Sequence, residues 1–161
     1  MRGNENLPNP HAGVSEIIGL LEAINDFSGS VDASVLADDF DLEIDEIYPA
    51  IESAELLGLI STPEGDVKLT GVGTRFLRAD IQLRKDILRE QMLKVESISN
   101  LLNKLRKSEG RRMKKEDVVE YLSSSMRSLH PDSLFNVLLN WARYAELLRY
   151  DADEQEIYLV E

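Results

Sequence analysis

The tetrapeptide Ala-Glu-Leu-Leu occurs twice, at residues 54–57 and 145–148, an offset of 145 − 54 = 91 residues. Each copy closes a stretch of helically spaced apolar residues and runs into a turn rich in Asp, Glu, Gly or Pro. An alternating strand follows, at residues 67–70 and again at 157–160. Helix, strand, acidic turn and strand is the end of a winged helix, so the duplication predicts two winged-helix-like units. The 161 residues of the chain hold two units of about 70–80 residues each. The expected fold class is mainly α with small β-hairpins, an α+β protein whose two units are joined by a long helical connector.

Composition removes several function classes. With 43% hydrophobic and 30% charged residues the chain reads as a soluble globular protein. Because it contains no cysteine, disulfides, thiolate zinc sites and cysteine nucleophiles are excluded. No apolar run approaches the roughly 18 residues of a membrane span, and residues 1–6 lead into no signal core. The expectation is a cytoplasmic protein. Its formal net charge of −12 is unevenly placed. Residues 1–77 hold 15 Asp or Glu against Arg2, Lys68 and Arg75, whereas residues 78–161 hold 15 of each sign. A first half of that sign repels phosphate backbones and favours basic or neutral partners.

In chain order, residues 1–13 read as a flexible lead-in and residues 14–74 as the first winged-helix unit. Helix one carries Val14, Ile17, Ile18, Leu20, Leu21 and Ile24, and a short second helix carries Val31, Val35, Leu36 and Phe40, capped by Asp32 or Ser30. Helix three spans about 43–57 and is expected to bury Ile44, Ile47, Tyr48, Ile51 and Ala54, with Gly58 as its stop. Pro49 inside it implies a kink or a start nearer Ile47. Residues 75–110 form the connector, where Ile81, Leu88, Val95 and Leu102 fall seven apart and Ile98 and Leu105 extend the same stripe. That stripe packs inside one chain, as one helix or two in series, or forms a homodimer seam over residues 81–105. Residues 111–161 are the second unit, with a helix at about 115–126 and another opening at Pro131.

The candidate sites are surfaces rather than catalytic constellations. Helix three offers Glu43, Asp45, Glu46, Glu52 and Glu55 on an element that in a DNA reader carries Arg, Lys, Asn or Gln, so nucleic acid is disfavoured as a partner. The last helix, with Asp132, Asn136, Asn140 and Arg143, is only weakly suited to DNA. Seven cations, among them Arg111, Arg112, Lys114 and Lys115, lie between 104 and 115. They read as a solvated loop, as a patch that docks on carboxylates such as Glu46 and Glu52 or those of a partner, or, least favoured, as a contact for phosphate or an anionic membrane surface. Trp141, Tyr144 and Tyr150 read as core aromatics or, as the alternative, as a partner-binding edge that takes in Arg143. His11 and His130 lack the neighbours of a catalytic triad, Gly71-Val72-Gly73 lacks a phosphate-binding lysine, and the acids at 39–45 lack the glycine of a calcium loop. No catalytic residue, cofactor or metal is expected.

Three stretches carry a family resemblance: residues 79–85 (Ala-Asp-Ile-Gln-Leu-Arg-Lys), 90–93 (Glu-Gln-Met-Leu) and 141–151 (Trp-Ala-Arg-Tyr-Ala-Glu-Leu-Leu-Arg-Tyr-Asp). Together with Ile18-Gly19-Leu20-Leu21-Glu22 and the 54–70 hairpin region, they resemble the C-terminal AAA-associated domain, across nearly everything from Val14 onward. In that family the domain follows the ATPase domain of ABC transporters of the nitrate, sulfonate and taurine class. The resemblance implies a non-catalytic regulatory module that docks on an ABC transporter ATPase domain or subunit, peripheral to the inner membrane through the transporter. The phosphate-binding loop and signature motif of that ATPase are not among these residues, so the chain reads as a fragment or a stand-alone relative. The alternative expectation is a winged-helix DNA-binding transcription regulator.

Overall fold

The computed structural model describes residues 7–160. Its elements are α1 (Val14–Asp26), β1 (Ser30–Asp32), α2 (Ala33–Asp39), α3 (Ile44–Leu56), β2 (Ile60–Ser61), β3 (Asp66–Leu69), α4 (Gly71–Arg78), α5 (Ile81–Leu93), α6 (Glu96–Arg106), β4 (Arg112–Lys114), α7 (Lys115–Ser124), α8 (Pro131–Tyr144), β5 (Leu148–Asp151) and β6 (Glu156–Leu159). The fold is mainly helical α+β, with two three-stranded antiparallel sheets ordered β1-β3-β2 and β4-β6-β5. One order, helix, strand, two helices, hairpin, is laid down twice. In the first pass α1 packs on α3, β1 and β3, and in the second α6 packs on β4 and β6.

Local chemistry explains the element ends. The Asp32 carboxylate accepts from Ser34 N at 2.8 Å and Val35 N at 3.3 Å, capping α2. Glu46 reaches back to Glu43 N at 2.8 Å and caps α3, while Asp80 accepts from Leu83 N at 2.8 Å to open α5. Pro131 starts α8, where its missing N–H costs nothing. Of the two starts expected for helix three, the chain takes Ile44, so Pro49 lies inside a continuous helix.

The duplication is real but its register differs from the tetrapeptide repeat. The α3 helix ends with Gly58 at φ 74° and a bond from Leu59 N to Ala54 O of 2.9 Å. The α8 helix ends with Glu146 at φ 60° and a bond from Leu147 N to Ala142 O of 2.8 Å. Gly58 therefore corresponds to Glu146, an offset of 146 − 58 = 88 residues. The strand registers agree, because Ile60 pairs with Leu69 as Leu148 pairs with Leu159. The second Ala-Glu-Leu-Leu thus occupies the turn that Leu57-Gly58-Leu59-Ile60 occupies in the first unit.

Four expectations need correction. The connector is three helices, with breaks at residues 79–80 and 94–95, and α6 serves as the first helix of the second repeat. Its apolar stripe turns inward: Leu88, Val95, Ile98, Leu102 and Leu105 are buried in the common core and only Ile81 is exposed. A stripe so enclosed cannot serve as a dimer seam. Residues 7–13 are packed rather than a flexible lead-in, with Pro8 and Ala12 buried and Asn9 N donating to Ser53 Oγ at 3.3 Å; residues 1–6 lie outside the described residues. Ile44 and Tyr48 are 46% and 54% exposed, because Ile47, Ile51 and Ala54 form the α3 stripe that faces inward.

The α5 helix ties the repeats together. Gln91, itself buried, donates from Nε2 to Leu57 O at 2.9 Å, and Arg89 Nε donates to Ala145 O at 3.0 Å. Arg84 covers the end of α4, donating to Phe76 O at 3.1 Å and Leu77 O at 2.9 Å. Carbonyls at helix ends lack the regular partner of the helix interior, and donors from α5 satisfy them, Phe76 O accepting from Ala79 N at 3.2 Å as well as from Arg84. Close backbone approach completes the joint, since a Cβ on Gly73 of α4 would meet Leu59 O at 2.1 Å.

Candidate docking surface

The two charged surfaces singled out by the sequence have different fates. In the basic segment, Arg112 pairs with Glu156 at 2.9 Å and Asp151 at 3.9 Å, and its guanidinium lies 4.8 Å from the Tyr158 ring centroid. Lys114 pairs with Glu156 at 3.7 Å. These contacts follow from the register of β4 on β6, which sets Arg112 opposite Tyr158 and Lys114 opposite Glu156. Lys115 is half-buried, with Nζ 5.3 Å from the Phe135 ring centroid, and its backbone N donates to Gln155 O at 2.8 Å. Arg111 is exposed in the turn before β4 at φ 55°. Much of the basic segment therefore braces its own sheet.

The α8 residues also turn inward. Trp141 is fully buried, and its indole N–H donates to Ala12 O at 2.9 Å. Its neighbour Asn140 accepts from Val14 N at 2.9 Å, so α8 fixes the entry of α1. Trp141 is thus a core and tethering residue rather than an exposed partner anchor. Tyr144 is half-buried, and burial raises its phenol above the ordinary value against the opposing pull of Arg84. Arg143 remains exposed.

The acidic surface stays open. Glu43, Asp45, Glu46, Glu52 and Glu55 are all exposed, beside the exposed apolar side chains of Ile44 and Tyr48. Glu52 Oε1 accepts from Asn9 Nδ2 at 2.9 Å, and Glu55 Oε2 accepts from Thr62 Oγ1 at 2.7 Å. Tyr48, Glu52, Glu55 and Leu56 of this helix line a cleft of about 470 Å³, together with residues 7–10 and, from the other side, Leu129, His130 and Leu134. His130 is exposed, its ring centroid 6.1 Å from that of His11. Among the described residues no group of three or more His, Cys, Asp or Glu could hold a metal, and no helix is long and apolar enough to cross a membrane. The arrangement exposes carboxylates and apolar side chains side by side.

The family model of the C-terminal AAA-associated domain matches residues 34–151, from α2 to the end of β5. The chain belongs to that family. Comparison with curated proteins and with solved structures gave no significant match. The AAA-associated domain is an accessory module associated with ATPases. Structurally this AAA-associated domain extends past the matched span at both ends. The central strand β3 pairs with β1 before the span, and β4 and β5 meet only through β6 after it.

Two sets of residues in this AAA-associated domain escape sequence reasoning. Tyr48 and Leu129 are assigned to a core face and to a loop by periodicity, yet they stand exposed on opposite walls of the cleft. Arg84, Arg89 and Gln91 look like ordinary helix-surface residues. Only Gln91 leaves a signal, as a polar residue on an otherwise apolar stripe between Leu88 and Val95.

Proposed function

We propose that this chain is a non-catalytic regulatory module that docks by protein–protein contact on an ABC transporter ATPase domain or subunit of the nitrate, sulfonate and taurine class. In this reading it contains two winged-helix units, residues 14–69 and 96–159, held by a connector of α4 and α5. It sits at the cytoplasmic face of the inner membrane through the transporter.

The observation that carries the reading is the exposed acidic and apolar face of α3 in a member of an ATPase-associated family. In a winged helix the third helix faces the partner, and here it would set Glu52 and Glu55 against it. Carboxylates there favour a basic protein surface over a phosphate backbone, so protein docking is preferred to DNA reading. Exposed Arg111 and Arg143 and half-buried Tyr144 would be further contact residues in the same docking scheme.

The experiment is a calorimetric titration of the protein with the ATP-binding domain of such a transporter. A saturable complex that weakens several-fold between about 0.05 and 0.5 M salt supports charge-guided docking. No complex at low salt, or a shift of mixed DNA at that salt, contradicts it.

A further inference from the structure

We propose that the cleft between α3 and the 128–134 segment is a docking groove for a cationic amphipathic segment of a partner protein, one that presents a bulky apolar side chain flanked by Lys or Arg. This rests on the reading of the chain as a docking module and names the chemistry of what docks.

Two observations converge on the groove. First, it is apolar where a side chain would enter. Tyr48 is 54% exposed on one wall and Leu129 is 83% exposed on the other, and Leu56 and Leu134 also line the space. Leu129 is displayed by a bonded turn: Ser128 N donates to Leu122 O at 2.9 Å and His130 N to Ser128 Oγ at 3.2 Å. Grouped in one cleft, Tyr48, Leu56, Leu129 and Leu134 make a contiguous apolar patch rather than a single exposed side chain, and such patches mark interaction surfaces.

Second, the charge on the α3 side of the groove has one sign. Residues 32–57 include Asp38, Asp39, Asp41, Glu43, Asp45, Glu46, Glu52 and Glu55 and contain no Lys or Arg. On the groove wall, Glu52 and Glu55 are held by the neutral donors Asn9 and Thr62, contacts that leave their negative charge uncancelled. The α3 rim therefore attracts cations, and the Tyr48–Leu129 gap takes the apolar group between them.

The test uses two fluorescein-labelled peptides of about 12 residues, one Leu/Lys and one Leu/Glu, read by anisotropy at about 0.15 M salt. The Leu/Lys peptide is expected to bind saturably and the Leu/Glu peptide not to bind. Tyr48→Ala and Leu129→Ala should each weaken binding about tenfold, and the Glu52→Gln/Glu55→Gln double variant should flatten its salt dependence. Leu129 is so exposed that its truncation leaves folding intact, which thermal melting confirms. The proposal is overturned if neither peptide binds, if both bind alike, or if Leu129→Ala binds as the parent does. It is equally overturned if sedimentation shows a dimer that Leu129→Ala dissociates, since a second copy then fills the groove. Should an ATP-binding domain bind Tyr48→Ala and Leu129→Ala undiminished, the groove falls while the accessory role stands. Should the Leu/Lys peptide bind at the groove while no ATP-binding domain binds, the groove stands and the accessory role falls.

Discussion

Arg89 and Gln91, two residues apart on α5, cap the same backbone position in the two repeated units: Arg89 bonds the Ala145 carbonyl and Gln91 the Leu57 carbonyl. Leu57 and Ala145 are the C-cap residues of α3 and α8. Residues two apart on a helix point about 200° apart, so α5 runs between the units and reaches both. The partial negative charge at a helix C-terminus suits the Arg89 donor in particular. One strut thus fixes the end of α3, the helix that carries the acidic face, relative to α8.

Gln91→Ala strips the donor from a buried carbonyl and should cost about 1–3 kcal/mol in urea denaturation. Arg89→Ala acts at a half-exposed site and should cost about 1 kcal/mol. If the strut couples the units, each variant still unfolds in one transition and the double variant lowers the midpoint further. Two resolved transitions in the parent protein, or a double variant no less stable than the single ones, would show that the strut does not couple the units.

Gly73→Ala places a methyl group 2.1 Å from the Leu59 carbonyl oxygen, a clash that only backbone movement relieves. The expected loss is about 3 kcal/mol, at the upper end for overpacking. Thermal melting of the variant checks this, and an unchanged midpoint would contradict the close approach of α4 to the Leu59 carbonyl.

Trp141→Phe keeps most of the ring volume but removes the N–H that holds Ala12. A stability loss of about 2 kcal/mol is expected from the unsatisfied carbonyl and the smaller ring. Protease nicking near residues 7–13 should also speed up relative to the parent protein. Because Trp141 is the one tryptophan in the chain, its buried emission also reports directly on this contact.

Glu146 is held below the ordinary carboxylate range by hydrogen bonding from Gln82, then by Lys85 and Arg89 nearby. A depressed folded-state value means that the stabilisation is present above the unfolded value and lost as pH falls through the folded one. Melting points measured from pH 7 down to about 3 should therefore decline less steeply in Glu146→Gln. Glu146 also takes the left-handed conformation that Gly58 takes in the first unit. Glu146→Gly should accordingly be more stable than Glu146→Ala, which keeps the strain and loses the same ion pairs.

Long, periodic helices were legible in the sequence. The spacing in α1, the Pro131 start of α8 and the Gly58 stop all follow from local chemistry, and so does the order of the two hairpins. Strands β1 and β4 were not legible, because three residues are too few for an alternation and their partners lie far along the chain. The register of the repeat was misleading for a physical reason. A turn that needs a positive φ is filled by glycine in one copy and by an ion-paired glutamate in the other, so identical letters do not mark identical positions. The acidic α3 face was legible from charge alone. The opposite wall of its cleft was not, since Leu129 lies 81 residues from Tyr48 and only the packing of α8 beside α1 brings them together.

The most direct test of the account is hydrogen–deuterium exchange on the protein with and without a bound ATP-binding domain. Added protection is predicted over residues 44–56 and 128–134, the two walls of the cleft. Protection confined to β4, β5 and β6, or no protection in a complex that demonstrably forms, would contradict docking through α3.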